Sequence, residues 1–409
     1  MSVGQLEEVR VSADEPEAEP STDAVEVDRP WRRALLSGFA VWIATKVGLL
    51  AVAAFSWFTD ESSDISLSEV IHTWSTQWDS NWFIDIAARG YLESENGHAA
   101  FFPLFPALIR LCTPLFLGRG WLAALTLANL ALLAALVLLF HLTEQEFGKA
   151  AAGRTIFYLV AFPTGFFLSA PYNSGLFIAL MVGVLYSLRR CDWWAAGILG
   201  ALATSTRSAG LLLVLPFAFE YLRTQRWRIR PDAIAIGLIP LGLGAVMLVN
   251  KIYLGDPMAF SEAQSTRFGR EFAWPWEAVI DSVRMVAGDD PVAQPFGWVW
   301  AHNVLELGTV LTALVLVGLS VAGPWRMRRD QLVFPLFAMA LIVFMVMFPS
   351  SWIPWPLVST SRLGLEIIPV FMMLGVLGRY ALVDRVALAL FLPVQSILVV
   401  TFLHGAWVA

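Results

Sequence analysis

The strongest constraint in this chain is a succession of long apolar runs broken by short, arginine-bearing connections. A membrane-crossing helix needs about 20 apolar residues, and fewer where it is broken or enclosed by a bundle. Eleven segments meet that description: 35–58, 121–141, 155–171, 174–188, 193–205, 208–222, 232–254, 302–322, 331–349, 363–378 and 386–404. Only 15% of the 409 residues are charged, against about 25% in a soluble domain. A soluble enzyme, a disordered scaffold and a nucleic-acid binder are therefore poor readings. The expectation is an all-α polytopic membrane protein of about eleven spans.

The net charge of −6 is uneven. Residues 1–30 hold nine acids and two bases, and the remainder is nearly neutral. An acidic, proline-containing stretch of this kind buries too little apolar surface to fold, so 1–30 is expected to be a disordered cytoplasmic tail and 31–409 the membrane domain. Arg32 and Arg33, Lys149 and Arg154, Arg189 and Arg190, Arg223 to Arg230, Arg326 to Arg329, and Arg379 and Arg385 flank alternate runs. With the N-terminus inside, they all fall on the cytoplasmic side. That count holds if Phe101 to Gly118, with its prolines and Arg110, is re-entrant or interfacial. Segments 193–205 and 208–222 are too short for two full crossings, so they read as a hairpin inside the bundle with a polar turn at Thr204 to Ser208.

Three segments then face the exterior: 59–100, 255–301 and 350–362. The first is acidic, and together they carry nine of the eighteen tryptophans, including Trp74, Trp78, Trp82, Trp352 and Trp355. Two readings stand side by side, an aromatic belt at the membrane interface and indole faces for stacking sugars. The two cysteines and five scattered histidines have no metal-ligand spacing, so no metal site is expected. Arginine outnumbers lysine 24 to 3, a compositional trace of a GC-rich bacterium, which points to a bacterial plasma membrane.

The most informative stretch is Gln77-Trp-Asp-Ser-Asn-Trp-Phe-Ile-Asp-Ile-Ala-Ala-Arg-Gly-Tyr91. It reads as a short helix ending at Gly90. Asp79, Phe83, Ile86 and Gly90 share one face, and Asp85 and Arg89 are spaced as an i, i+4 ion pair. Asp79 has two readings, a helix N-cap or a working carboxylate. Lys46, near the centre of the first run, invites pairing with Glu306 or Glu366. His98 reads as a surface histidine or an acceptor contact, and Asp256 as a turn residue or a second carboxylate.

Trp78-Asp79, Trp82-Phe83, Ile86-Ala87, Gly90-Tyr91 and Ala100-Phe-Phe-Pro-Leu-Phe-Pro106 together resemble the first exterior loop of the PIG-V mannosyltransferase family. Ala170-Pro-Tyr-Asn-Ser174, Thr206-Arg-Ser-Ala-Gly210, Gly255-Asp-Pro-Met-Ala-Phe260 and Ser361-Arg362 extend the resemblance over roughly residues 35 to 380. Asn173 departs from it where members often carry a carboxylate, and Ser361 where a proline often precedes the arginine.

The resemblance implies a GT-C glycosyltransferase fold. It also implies transfer of mannose from polyprenyl-phosphate mannose to a lipid-linked or cell-envelope glycan acceptor on the extracytoplasmic face. It makes Asp79 the general base. The chemistry fits the residue types, since inverting transfer needs a carboxylate to take the acceptor's proton. A departing lipid phosphate needs a cation, and arginine suits it. Arg207, Arg362 and Arg110 are the candidates. Trp78, Trp82, Tyr91, His98 and Asn173 are the candidate sugar or acceptor contacts. No cofactor is expected, and a divalent metal is not demanded by the sequence. With no Rossmann fingerprint, a nucleotide-sugar donor is disfavoured. The rival class is a glycolipid or polyprenyl-lipid transporter, which broken helices and buried charges would also suit. The absence of a repeat between the two halves speaks against it.

Overall fold

The structure is a computed structural model that describes residues 30–58, 67–92, 97–288, 292 and 294–408. The acidic tail expected at 1–30 lies almost wholly outside the described residues, as do Asp60, Glu61, Asp64, Glu93 and Glu95 of the first exterior segment.

The described residues are helical apart from turns and one isolated bridge, Arg270 with Ser350. In chain order the helices are α1 (Pro30–Phe58), α2 (Leu67–Ser75), α3 (Asp79–Arg89), α4 (Leu104–Cys112), α5 (Gly120–Phe147) and α6 (Lys149–Ala161). They continue with α7 (Ser174–Arg189), α8 (Trp193–Thr204), α9 (Val214–Thr224), α10 (Leu238–Leu254), α11 (Ala259–Phe268) and α12 (Pro275–Ala287). The last are α13 (Trp298–Val321), α14 (Val333–Val346), α15 (Thr360–Leu363), α16 (Ile368–Leu377) and α17 (Ala381–Leu403).

Among the described residues six helical segments are long and apolar enough to cross a membrane: Pro30–Ser56, Gly120–Phe147, Pro231–Leu254, Trp298–Val321, Arg329–Val346 and Ala381–Leu403. A seventh forms if Thr360–Glu366 and Ile368–Leu377, bent by 78°, count as one broken span. The remaining apolar runs of the expected eleven are shorter helices, of which α7 is largely buried and α8 keeps Trp194, Ile198 and Leu202 exposed. The run expected at 155–171 is a 13-residue helix, α6, that stops at Ala161, followed by a 3-10 turn at Gly165–Leu168. Helix α7 has 16 residues and α8 has 12. A buried helix has most of its surface covered by protein, so its apolar length need not match the bilayer. The expected hairpin is present, with α8 and α9 joined through Ser205 to Arg207 and a 3-10 turn at Ser208–Leu213. Phe101 to Gly118 folds as α4 and a 3-10 turn. Nine helical residues rise about 14 Å, too little to cross.

The core runs through α5, α6, α7, α13, α14 and α16, with Leu136, Phe140, Phe177, Val182, Phe334 and Met372 fully enclosed. Small residues let the helices approach. A Cβ on Gly242 of α10 would sit 2.1 Å from the carbonyl oxygen of Ala201 on α8, the close backbone contact that glycine permits between membrane helices.

One end of this bundle gathers the expected cytoplasmic connections. Arg189, at the end of α7, donates to Glu146 at 2.6 Å, to Glu220 at 3.1 Å and to Asp330 at 3.0 Å. Arg33 reaches Glu144 at 3.1 Å. These contacts tie the ends of α1, α5, α7, α9 and the start of α14 into one polar layer. The other end of α7, at Ser174, lies about 23 Å away along the helix axis.

Candidate functional site

Around the Ser174 end of α7 six charged side chains from distant parts of the chain form one network. Asp79 is the first residue of α3. Trp78, just before it, has φ 51°, a left-handed conformation rare for a bulky residue. The Asp79 side chain does not cap its helix. It accepts a hydrogen bond from Arg362 Nη1 at 2.6 Å, and the two side chains are 19% and 10% exposed. The N-cap reading of Asp79 is thereby corrected: the tertiary partner has taken the carboxylate.

Three aromatic rings surround the Arg362 guanidinium: Phe167 at 5.5 Å, Tyr172 at 5.4 Å and Trp407 at 5.6 Å. Cation–π contacts of this kind strengthen as water is removed. Trp407 also meets Trp78 edge to face at 5.1 Å. The Tyr172 hydroxyl donates to the carbonyl of Gln77 at 3.4 Å. Burial, then the nearby Asp79 carboxylate, pushes this phenol well above its ordinary range.

Arg207 sits in the polar turn between α8 and α9. It forms an ion pair with Glu366 at 2.6 Å and donates to Ser174 at 3.3 Å. Asn173 supports the same turn by donating to the carbonyl of Thr206 at 3.0 Å. Arg270 follows α11 and donates to the carbonyls of Phe348 and Val358, both at 3.2 Å. Burial and the guanidiniums of Arg362 and Arg207 push Arg270 down to about 10. Glu306, on α13 and fully buried, accepts from the backbone N–H and the hydroxyl of Ser361, the residue before Arg362. Three arginines and three carboxyl groups thus gather in one cluster. Two of the ion pairs are direct.

Of the candidates read from the sequence, Asp79, Arg207 and Arg362 come together here, with Asn173 and Trp78 at the margin. The others lie apart. Arg110 is exposed on α4 and has left the cluster. Trp82 stacks on Phe101 at 5.7 Å, with Gly97 packed beneath it. Tyr91 is buried and donates to the carbonyl of Phe101 at 2.6 Å. His98 is not a surface histidine: it is 1% exposed, accepts from the Leu92 N–H at 3.4 Å and meets Asp85 at 3.0 Å. Asp85 also pairs with Arg89, as its spacing suggested. These residues brace the surroundings of α3. Asp256 accepts from the Met258 N–H at 2.9 Å and so serves its own turn.

Lys46 pairs with neither Glu306 nor Glu366. Its ammonium donates to Ser169 at 2.6 Å and lies 5.3 Å from the Trp42 ring, while both glutamates are engaged in the charged network. Trp74 and Trp355 are neither belt nor exposed platform. Trp74 donates to the carbonyl of Ser169 at 3.3 Å, and Trp355 stacks on His302 at 4.7 Å. Among the described residues no group of three or more His, Cys, Asp or Glu is placed to hold a metal ion.

The sequence of residues 49–226 matches the family model described as Mannosyltransferase (PIG-V). Over that stretch the chain is similar to the PIG-V family. The matched stretch carries Asp79, Asn173 and Arg207, whereas Arg270, Glu306, Arg362 and Glu366 lie beyond it, so the network joins both parts. Similar proteins include GPI alpha-1,6-mannosyltransferase 2 of Cricetulus griseus, 35% identical over 149 residues, which are 34% of this chain and 30% of that one. The protein of that name from Homo sapiens is 31% identical over 175 residues, 39% of this chain and 33% of that one. GPI mannosyltransferase 2 of Aspergillus fumigatus is 30% identical over 166 residues, 36% of this chain and 32% of that one. The match therefore spans about a third of these relatives' length. Two solved structures are similar more loosely. ArnT from Cupriavidus metallidurans bound to undecaprenyl phosphate is 18% identical, with a TM-score of 0.45, over 83% of this chain and 60% of that one. The Archaeoglobus fulgidus oligosaccharyltransferase in the apo form is 12% identical, with a TM-score of 0.47, over 90% of this chain and 56% of that one.

Proposed function

We propose that this protein is an integral membrane mannosyltransferase of the GT-C type. It moves mannose from polyprenyl-phosphate mannose to a lipid-linked or cell-envelope glycan acceptor, with inversion, on the extracytoplasmic face. The observation that carries the reading is the direct pairing of Asp79 with Arg362, beside Arg207, at the end of the bundle opposite the basic layer. The PIG-V match and the mannosyl transfer in the relatives' names support the sugar. The positive-inside rule supports the face.

In this reading the donor phosphate competes for the guanidinium of Arg362, whose N–H fork suits phosphate oxygens. Asp79 is then released toward the acceptor hydroxyl. That oxygen attacks the anomeric carbon, and the bond to the phosphate oxygen breaks with its electron pair. The departing charge falls on the lipid phosphate beside Arg362 and Arg207, and the hydroxyl proton passes to the Asp79 carboxylate. The partial burial of these side chains lowers the local dielectric, which strengthens each of these interactions.

The test is Asp79→Asn in membranes supplied with labelled polyprenyl-phosphate mannose and a panel of mannolipid acceptors. Removing a general base lowers the transfer rate by about 10²–10⁴-fold. Transfer at the wild-type rate removes Asp79 from this role. Wild-type protein that moves lipid across vesicles without transferring sugar replaces the enzyme with a transporter.

A further inference from the structure

Glu306 stands apart from the other two carboxylates of the network. Asp79 and Glu366 each meet an arginine directly, whereas Glu306 spends both oxygens on Ser361. A carboxyl group with no solvent exposure, the sole acidic residue on helix α13, is costly and persists where it has a task. The partner it has chosen is informative. Ser361 is fully buried and precedes Arg362 on the four-residue helix α15. Its N–H and hydroxyl donate to Glu306, at 3.1 Å for the hydroxyl, and its carbonyl accepts from Thr164 Oγ1 at 2.8 Å. Ser359, two residues before Ser361, has φ 64°, outside the range most side chains prefer. The segment is thus held in an unfavoured backbone shape by contacts from α13 and from the turn after α6.

We propose that Glu306 is a positioning residue: by gripping Ser361 it holds the Arg362 guanidinium in register with Asp79. The proposal rests on the reading that Arg362 and Asp79 serve the transfer. Glu306 touches neither of them, so it acts through the backbone of α15. A short helix between two loops has few internal hydrogen bonds to define its position. The reach of a long arginine side chain then depends on where its Cα is anchored.

The experiment compares Glu306→Leu with Glu306→Gln in the full chain. Leucine fills the volume but offers no acceptor, so it leaves the buried Ser361 N–H and hydroxyl unpaired. Glutamine keeps both bonds, because its carbonyl accepts from the Ser361 N–H and its amide donates to the Ser361 oxygen. The expectation is that E306L lowers kcat by about 10²-fold, the scale of a misplaced catalytic group. E306Q restores most of the rate. In an Arg362→Lys background E306L adds less than about twofold, since residues acting as one unit are not additive. Equal impairment by E306L and E306Q, or full additivity with R362K, overturns the positioning role. Amide hydrogen exchange over residues 359–363 is read in parallel. E306L speeds it and E306Q does not; unchanged exchange in E306L overturns the proposal even if the wild-type protein transfers no mannose. Loss of transfer in the wild type with the exchange response intact overturns only the mannosyltransferase reading.

Discussion

Arg362 and Asp79, 283 positions apart in the chain, share a hydrogen bond of 2.6 Å at the centre of the charged network. Asp79 leaves the first exterior segment, Arg362 leaves the broken span near the C-terminal end, and the aromatic rings of Phe167, Tyr172 and Trp407 close over the guanidinium.

Arg362→Lys keeps the charge and loses the fork that spans carboxylate and phosphate oxygens. The expected result is a rise of about tenfold in the KM for polyprenyl-phosphate mannose, the loss of roughly one charge-assisted hydrogen bond. Initial rates over a donor concentration series measure it. Arg362→Ala strands Asp79 with part of its desolvation uncompensated, and a loss of thermal stability is expected alongside the loss of rate.

Arg207→Met leaves Glu366, 1% exposed, without its cation. Breaking a buried pair on one side costs about 3–5 kcal/mol. The double variant Arg207→Met with Glu366→Leu is expected to regain most of that stability while transfer stays low. Thermal unfolding in detergent, set against transfer in proteoliposomes, separates the structural share of Arg207 from its catalytic share.

Arg110→Ala is expected to leave both stability and transfer within about twofold of wild type, since an exposed substitution away from a packed feature changes stability by about 0.5 kcal/mol or less. A donor KM that rises as it does in Arg362→Lys would bring Arg110 back among the phosphate contacts.

Gly242→Ala tests the packing behind the hairpin that carries Arg207. The added methyl would meet the Ala201 carbonyl, with the Thr204 side chain at 2.9 Å. Overpacking of this kind costs about 1–3 kcal/mol. A fall in Tm is expected, with a smaller effect on rate if the turn at Arg207 is preserved. An unchanged Tm would mean that α8 and α10 separate freely.

The parts of the site that were legible in the sequence share one property: their neighbours carry a local pattern. Asp79 lies in a tryptophan-rich helical stretch with a glycine stop, Arg207 in a polar turn between two short apolar runs, and Arg362 beside Ser361 at the mouth of a span. Glu306 had a signal, a lone carboxylate in an apolar run, but the pairing with Lys46 that the sequence allowed is not made, since Lys46 donates to Ser169. Arg270 had none, because an arginine in an exterior segment is ordinary until the fold turns it inward. Tyr91 read as a sugar or acceptor contact and His98 as that or a surface histidine; both are buried, Tyr91 against the Phe101 carbonyl and His98 against Asp85.

Periodicity, apolar run length and the placement of arginines determined by themselves that this chain is helical, that it suits a membrane and which connections gather at one end. These are local or additive properties, set by transfer free energy and loop charge. Only the tertiary structure decided which apolar runs are long spans and which are shorter helices, because that depends on what covers them. It alone decided that Asp79 faces Arg362 rather than its own helix, and that Glu306 faces Ser361. A buried charge takes whichever partner the packing brings within reach, and that choice is made across hundreds of residues.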